Sequence, residues 1–423
     1  MQNKRALLFL LSANAVSGFS QGISMLAIPW YFTKVLNRPD LFGIIYAVVT
    51  LISMFWALYA GSLIDKYSRK KIFLLLNLVS GIFLLLISGI GFYLHETPSY
   101  LAVSVFFITI LNYNIHYPAV YAFGQEISSK ENYGKFNSLA EIQGQATSVL
   151  SGAIAAILMS GTEHGALNLL GATIRLPFEF SPWTLQEIFL LNACTYFIAV
   201  LFVLKIPYTQ SYQVKTSEKL LTRIKDGVSF LRKNKAIFVF GNTSLAIFVV
   251  LLVQVQMLLP MYVNNHLHQS ADVYASSEIY YAFGALFAGF FIRKLFKNTN
   301  TINAILSLMI VTVLLFVGCF IFTSVFYFFV FSILMGITNA GSRVLRITYL
   351  FHHIPNDIIG RTSSVFQMIN TLLRFIVASL FSIPFFSQSN NVIWAYLACA
   401  LFVLIAIFPL LKQYKNLTKN NTI

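Results

Sequence analysis

Acidic residues and cysteines are scarce, with 14 Asp plus Glu and three Cys among 423 residues. The carboxylates are scattered, and no nucleophile stands beside a base, which argues against a metal-dependent or covalent enzyme working at a membrane face. Cys194, Cys319 and Cys399 sit singly in apolar runs. That setting suits small core residues and offers neither a disulfide framework nor a thiolate metal site. No Gly-x4-Gly-Lys-Ser/Thr occurs, so ATP drives this chain only if a separate subunit supplies the phosphate-binding loop. The expectation is a protein that is not an enzyme, with no catalytic residue, no metal and no cofactor. Charged residues of all kinds make up only 10%.

What is abundant is apolar, at 57% of residues with 16% aromatic, a composition that soluble domains do not reach. A hydrocarbon core of about 30 Å needs roughly 20 helical residues. Twelve runs of that order are present: 6–34, 41–63, 72–94, 100–124, 136–160, 188–206, 236–265, 275–295, 301–321, 325–349, 362–384 and 391–411. They are continuous and not alternating, which predicts helices and disfavours a closed barrel of strands. The first run is too long for a secretory signal and is expected to stay as span 1.

The basic residues order the topology. With twelve spans both termini lie on one side, and the breaks on that side hold 25 of the 29 Lys and Arg. Only Lys34, Arg38 and Arg175 fall opposite, and Arg374 falls inside a span. The positive-inside rule makes both termini cytoplasmic in a bacterial inner (plasma) membrane. The net charge of +15 then reports topology and attraction to an anionic lipid bilayer; no nucleic acid is expected as a partner.

The longest basic-side break divides the chain into an N-terminal bundle (1–206), a linker (207–235) and a C-terminal bundle (236–423). Within the linker Leu220, Leu221, Ile224, Val228 and Leu231 recur at helical spacing beside Lys219, Arg223, Lys225, Arg232 and Lys233. This predicts a basic amphipathic helix on the inner leaflet, with a plain solvated linker as the alternative. The halves echo one another. An offset of 228 carries Gly61 to Gly289 and Ile64 to Ile292, and an offset of 226 carries Gly134-Lys135 to Gly360-Arg361 and Glu141 to Gln367. Both pairs fall in equivalent loops, the trace of a parallel duplication.

The stretch from Gly61 to Lys71 resembles the signature between spans 2 and 3 of the major facilitator superfamily, Gly-x-Leu-x-Asp-Arg/Lys-x-Gly-Arg-Arg/Lys, with Ser68 where Gly is usual. Three further stretches resemble the branch that holds macrolide-efflux proteins and the enterobactin exporter: Ile224 to Lys235, His116-Tyr117-Pro118-Ala119, and Ile359-Gly360-Arg361. The resemblance implies an all-α integral membrane fold of two pseudo-symmetric six-helix bundles, alternating access about a site near the midplane, and a monomer. Two features depart from it. Ser148 to Ala155 keeps the Gly of the antiporter motif of span 5 but not its Pro, and Thr109 stands where many relatives carry Arg.

Candidate residues follow from cost: ionisable groups inside a span are expensive and mark function by default. Glu141 shares a face of span 5 with Gln145 and Ser148. It is the candidate proton carrier, since a carboxylate there can load and release a proton as its surroundings change. A gating ion pair with Arg343 or Arg346 is the competing reading. His116 is either a second coupling group or a hydrogen-bonded core residue. Arg374, with no acidic residue in its own span, is neutralised by another helix or by the substrate. Polar groups facing lipid would be unsatisfied, and the resemblance makes spans 1, 4, 7 and 10 cavity-lining. Asn14, Gln21, Asn112, Tyr113, His116, Asn242, Gln254, Gln256, Asn339, Arg343 and Arg374 are therefore the substrate-cavity candidates, with helix-to-helix bonding as the alternative for each. A cytoplasmic gate is expected from Gly61, Asp65, Arg69, Lys70, Glu126, Arg346, Gly360 and Arg361. In it Asp65 caps the start of span 11 and Glu126 pairs with Arg69.

These features point to a secondary transporter of a small amphipathic organic molecule, drug- or macrolide-like, exported with protons as the coupling ion. The alternative is a transporter of an anionic metabolite such as a carboxylate siderophore, in either direction. A lipid translocase or a membrane enzyme is the reading from another class.

Overall fold

The computed structural model describes residues 4–128, 133–162, 166–169, 172–175, 177, 179–208, 220–355 and 358–419. Among them twelve helices are long and apolar enough to cross a bilayer. They are span 1 (Lys4–Val35), span 2 (Pro39–Ala57, continuing as helix to Lys66), span 3 (Arg69–Leu94), span 4 (Ser99–Ile127), span 5 (Leu139–Ser160, its helix starting at Tyr133) and span 6 (Leu185–Leu204). The second set is span 7 (Lys235–His266), span 8 (Ala271–Leu295), span 9 (Thr301–Ile321), span 10 (Val325–His353), span 11 (Ile359–Phe381) and span 12 (Val392–Lys412). A further helix, Leu220–Lys233, lies in the linker. Between spans 5 and 6 the extra length of chain forms a hairpin of β1 (Ala166–Leu169) and β2 (Ala172–Arg175), antiparallel with Ala166 opposite Arg175.

Several ends differ from those read off hydropathy, because polar residues extend the helices beyond the apolar runs. Span 8 begins at Ala271 and not at 275, with Asp272 in its first turn accepting from Ser270, a carboxylate placed where the helix dipole favours it. Thr184 and Glu187 form a reciprocal capping box that starts span 6 at Leu185.

The chain divides into two compact units. Unit 1 holds Met1–Asn37, Ile52–Thr216 and Ser270–Ile279; unit 2 holds Arg38–Leu51, Ser217–Gln269 and Tyr280–Ile423. The opening segment of span 2 thus belongs with the second set of helices, and that of span 8 with the first. In unit 1 spans 1, 3, 5 and 6 pack together, with Leu7, Leu10, Phe73, Phe123, Phe136 and Val203 in one buried cluster. Tyr274 of span 8 stacks on Trp30 of span 1, ring centroids 5.4 Å apart. In unit 2 spans 9, 10 and 12 surround Tyr262 of span 7, whose ring lies 4.5 Å from that of Tyr396. Its hydroxyl donates to the Cys319 carbonyl at 3.0 Å, so a buried polar group keeps a partner.

The duplication is carried in backbone detail as well as in sequence. Span 1 ends in a π-helical turn over Tyr31–Val35 and span 7 in another over Tyr262–His266. Both are closed by an i to i+5 bond, Leu36 N–H to Tyr31 O at 2.9 Å and Leu267 N–H to Tyr262 O at 3.0 Å. Each is followed by a left-handed residue, Asn37 at φ 51° and His268 at φ 52°. A left-handed residue just past the last turn is the common way to terminate a helix, and Asn tolerates it well.

Close approach of helices in a membrane requires small residues. A Cβ on Gly284 of span 8 would collide with the Ile333 carbonyl oxygen of span 10, and one on Gly336 with the Tyr281 carbonyl. Gly289 has open space at the same point. Gly284→Val is expected to destabilise the protein by at least about 1–3 kcal/mol, the usual cost of overpacking. Gly289→Ala should leave the thermal unfolding midpoint in detergent unchanged or slightly raised. Equal midpoints for the two variants would show that the contact of spans 8 and 10 is not tight.

Candidate functional site

The expected gate residues on the basic side of unit 1 are joined by short charged bonds. Arg69, first residue of span 3, places Nη1 2.7 Å from Glu126 Oε2 near the end of span 4. Glu126 is only 8% exposed, and its other oxygen accepts from the Tyr208 hydroxyl at 2.8 Å. Burial, and then the bond to Glu126, pushes the Tyr208 hydroxyl up to about 12, so it stays a donor across the physiological range. Lys70 donates to the carbonyls of Leu204 and Ile206, at 3.1 and 2.7 Å. It therefore caps the end of span 6, where a cation is favoured. The burial of Gly61 and the side chains of Asp65 and Lys66 lie outside the described residues, as do the linker's Lys219 and the side chains of Leu220, Leu221 and Arg223.

In unit 2 the charge at the start of span 11 meets the linker. Arg361 Nη1 lies 2.6 Å from Asp226 Oδ2, and a Cβ on Gly227 would sit 2.6 Å from the Arg361 carbonyl oxygen, which requires glycine there. The linker helix packs its Gly227 and Leu231 face on protein, while Lys225, Val228, Arg232 and Lys233 are exposed. Gly360 has nothing within 4 Å of a built Cβ, so sterics do not explain a glycine at that gate position. Arg343 is exposed and Arg346 half-buried, one turn apart on span 10.

Most of the polar cavity candidates bond neighbouring helices. Asn14 of span 1 accepts from His116 Nε2 of span 4 at 2.8 Å and donates to Gln143 Oε1 of span 5 at 2.5 Å. Gln143 donates onward to Thr147 at 2.9 Å. Since an amide oxygen only accepts, this arrangement gives His116 its proton on Nε2. His116 is also buried against the Phe73 ring at 4.8 Å, the setting of a hydrogen-bonded core residue. Asn112 turns to Ser80 of span 3 at 2.7 Å, Gln254 to Tyr396 of span 12 at 3.3 Å, and Asn339 to Tyr281 of span 8 at 2.8 Å. These three tie helices within a unit together, the helix-to-helix bonding that stood as the alternative for each: each amide meets a hydroxyl across a helix contact. Asn242 donates to Phe238 of its own helix at 2.8 Å. Gln21 Nε2 and Gln256 Oε1 are buried without a partner. Tyr113 and Tyr117 pack on each other, centroids 4.3 Å apart, with Tyr113 exposed.

Glu141 is exposed on span 5 and accepts from Gln145 one turn on at 3.2 Å. Arg374 stands seven residues before the end of span 11 at Phe381, roughly 10 Å along the helix. Glu278, overlooked within the apolar run of span 8, is a second membrane carboxylate. It lies against Gly152, where a Cβ on the glycine would sit 3.4 Å from the Glu278 Cβ and 3.1 Å from the Ala275 carbonyl oxygen. The signal for Glu278 was an acidic residue at the eighth position of a spanning helix. Cys319 and Cys399 are buried as expected, whereas Cys194 is exposed on span 6, where the bilayer makes an outward-facing small residue tolerable.

Twelve spanning helices in two repeat-related sets, with polar residues bonded between helices within each unit, define a multi-pass membrane protein. The Major Facilitator Superfamily model matches residues 10–378, and the chain belongs to that family. It is 22% identical to macrolide efflux protein A of Streptococcus pyogenes over 96% of each chain. Among solved structures it resembles a mutant of the nucleoside transporter NupG, with a TM-score of 0.73 and 14% identity, covering 96% of this chain and 100% of that one. A bacterial homologue of the iron transporter ferroportin, in an inward-facing state, aligns with a TM-score of 0.67 and 16% identity over 96% of this chain and 98% of that one.

The Arg69 and Glu126 pair should be coupled. In a double-mutant cycle of Arg69→Ala and Glu126→Ala, read by thermal unfolding, the interaction is expected at about 1.5–3 kcal/mol, the range for a charged hydrogen bond. Additive effects of the two substitutions would show that the pair is solvated and contributes nothing to holding spans 3 and 4.

Proposed function

We propose that this protein exports a small amphipathic organic molecule across the bacterial plasma membrane by alternating access, as a monomer, with inward proton movement as the driving force. The observation that carries the reading is full-length similarity to a macrolide efflux protein in a chain with carboxylates inside its spans. Both termini are placed in the cytoplasm because 25 of the 29 Lys and Arg fall in breaks on their side.

Glu141 and Glu278 are the proposed coupling groups. A protonated carboxylate is neutral and costs far less in hydrocarbon than an ionised one, so loading and unloading a proton biases which side a unit exposes. His116, held between Asn14 and Phe73, orders the polar network in this reading. The Arg69, Glu126 and Lys70 cluster, and the Arg361 bond to Asp226, are the proposed basic-side gate. They hold helix ends that must separate or slide when that side opens.

A second reading, a transporter of an anionic metabolite such as a carboxylate siderophore, is favoured by one observation: among the described residues Arg374 forms no ion pair.

Inside-out vesicles containing the protein, given an acid interior, test export. Erythromycin should partly collapse the gradient, and either Glu141→Gln or Glu278→Gln should abolish that collapse while leaving downhill erythromycin exchange. If both variants pump like the wild type, neither carboxylate carries the proton. If erythromycin moves with no change in the gradient, proton coupling itself is wrong.

A further inference from the structure

Arg374 and Asn370 are one turn apart on span 11 and share a face. Asn370 is 1% exposed, yet neither its Nδ2 nor its Oδ1 has a hydrogen-bond partner. Arg374 Nε is likewise buried without a partner. Three unpartnered polar atoms along one turn are costly, because each buried unsatisfied group forfeits about 1–3 kcal/mol and a charged one more. The rest of the guanidinium is held in place. One Nη2 hydrogen goes to the Thr371 hydroxyl at 3.0 Å, and that hydroxyl donates to the Gln367 carbonyl at 2.9 Å. The Tyr46 oxygen also bonds Arg374, and the Tyr46 hydroxyl donates to the Leu252 carbonyl of span 7 at 3.2 Å. All of these residues belong to unit 2.

On this held guanidinium the Nε edge keeps a hydrogen with no acceptor. That edge is the side-on fork which takes a carboxylate through two parallel bonds. Asn370 Nδ2 adds a third donor, and Asn370 Oδ1 asks for a donor on the ligand. A phosphate fits less well: its second charge would need another cation, and the remaining arginines of spans 7–12, Arg293, Arg343, Arg346 and Arg361, lie toward the basic side. At roughly 10 Å below the opposite end of span 11, the position is also too deep for a lipid headgroup.

We propose that Arg374 and Asn370, positioned by Thr371 and Tyr46, form a carboxylate-binding subsite for an amphipathic organic acid that carries a hydrogen-bond donor next to its carboxylate. The proposal rests on the transporter reading for its purpose, and gives that reading a substrate class.

The test uses the full-length protein in phosphatidylcholine nanodiscs, where no acidic headgroup competes, and measures equilibrium binding of salicylate, benzoate and methyl salicylate. Salicylate should bind more tightly than benzoate, and methyl salicylate should not bind. Arg374→Gln should weaken salicylate at least roughly tenfold, the scale of a charged hydrogen bond. Arg374→Lys keeps the charge but loses the fork and should fall between. Asn370→Ala should narrow the gap between salicylate and benzoate. Should Arg374→Gln fail to fold, the Arg374→Lys and Asn370→Ala responses decide. Equal binding of the acid and its ester, an unchanged affinity in all three variants, or no binding of either acid would overturn the proposal. Erythromycin transport by the wild type without acid binding would remove this subsite and leave the transporter reading standing. Acid binding without transport of any compound would retain the subsite and remove its role in transport.

Discussion

In hydrocarbon no water is at hand to accept or donate a hydrogen bond, and this one constraint organises the molecule. Polar side chains inside a span find protein, many through a carbonyl one turn back in their own helix and several through the next helix. Asn112 takes Ser80, Asn339 takes Tyr281, Gln254 takes Tyr396, and Asn14 bridges His116 and Gln143. Each bond specifies which helix faces which, a task that apolar contacts alone perform poorly when lipid is as apolar as the core. Against that background Asn370 and Arg374 stand out because three of their polar atoms lack a partner within one turn.

The duplication repeats the constraint in both units. The π-helical turns at Tyr31–Val35 and Tyr262–His266, each closed by a left-handed residue, end the first span of each set in the same way. The opening segments of spans 2 and 8 then join the other set of helices: Tyr46 reaches Leu252, while Tyr274 stacks on Trp30. Such turns insert one extra residue and occur often at functional positions. Span 7 carries another at Gln254–Leu258, beside the carbonyl that Tyr46 uses.

The twelve spans and the family were legible in the sequence because hydropathy and the Gly61 to Lys71 signature are local signals. The Arg69 and Glu126 bond was legible for a related reason: both residues sit at span ends on the basic side, where only a few carboxylates compete. Side-chain direction was not legible. Gln254 and Asn339 read as cavity polar groups from the family resemblance and the cost of facing lipid, with helix-to-helix bonding as the alternative, and only the packed helices show which hydroxyl each amide meets. The Arg361 bond to Asp226 spans 135 residues and depends on how the linker helix docks, which the close packing of Gly227 decides.

Alternating access is the central claim, and it is most directly tested at Ser148, which shares the Glu141 face of span 5. With Cys194, Cys319 and Cys399 replaced, Ser148→Cys would be labelled with a membrane-impermeant thiol reagent from either side of sealed vesicles of known orientation, with and without a pH gradient. The account predicts labelling from both sides, with the balance shifted by the gradient. Labelling from one side only, whatever the gradient, would contradict it.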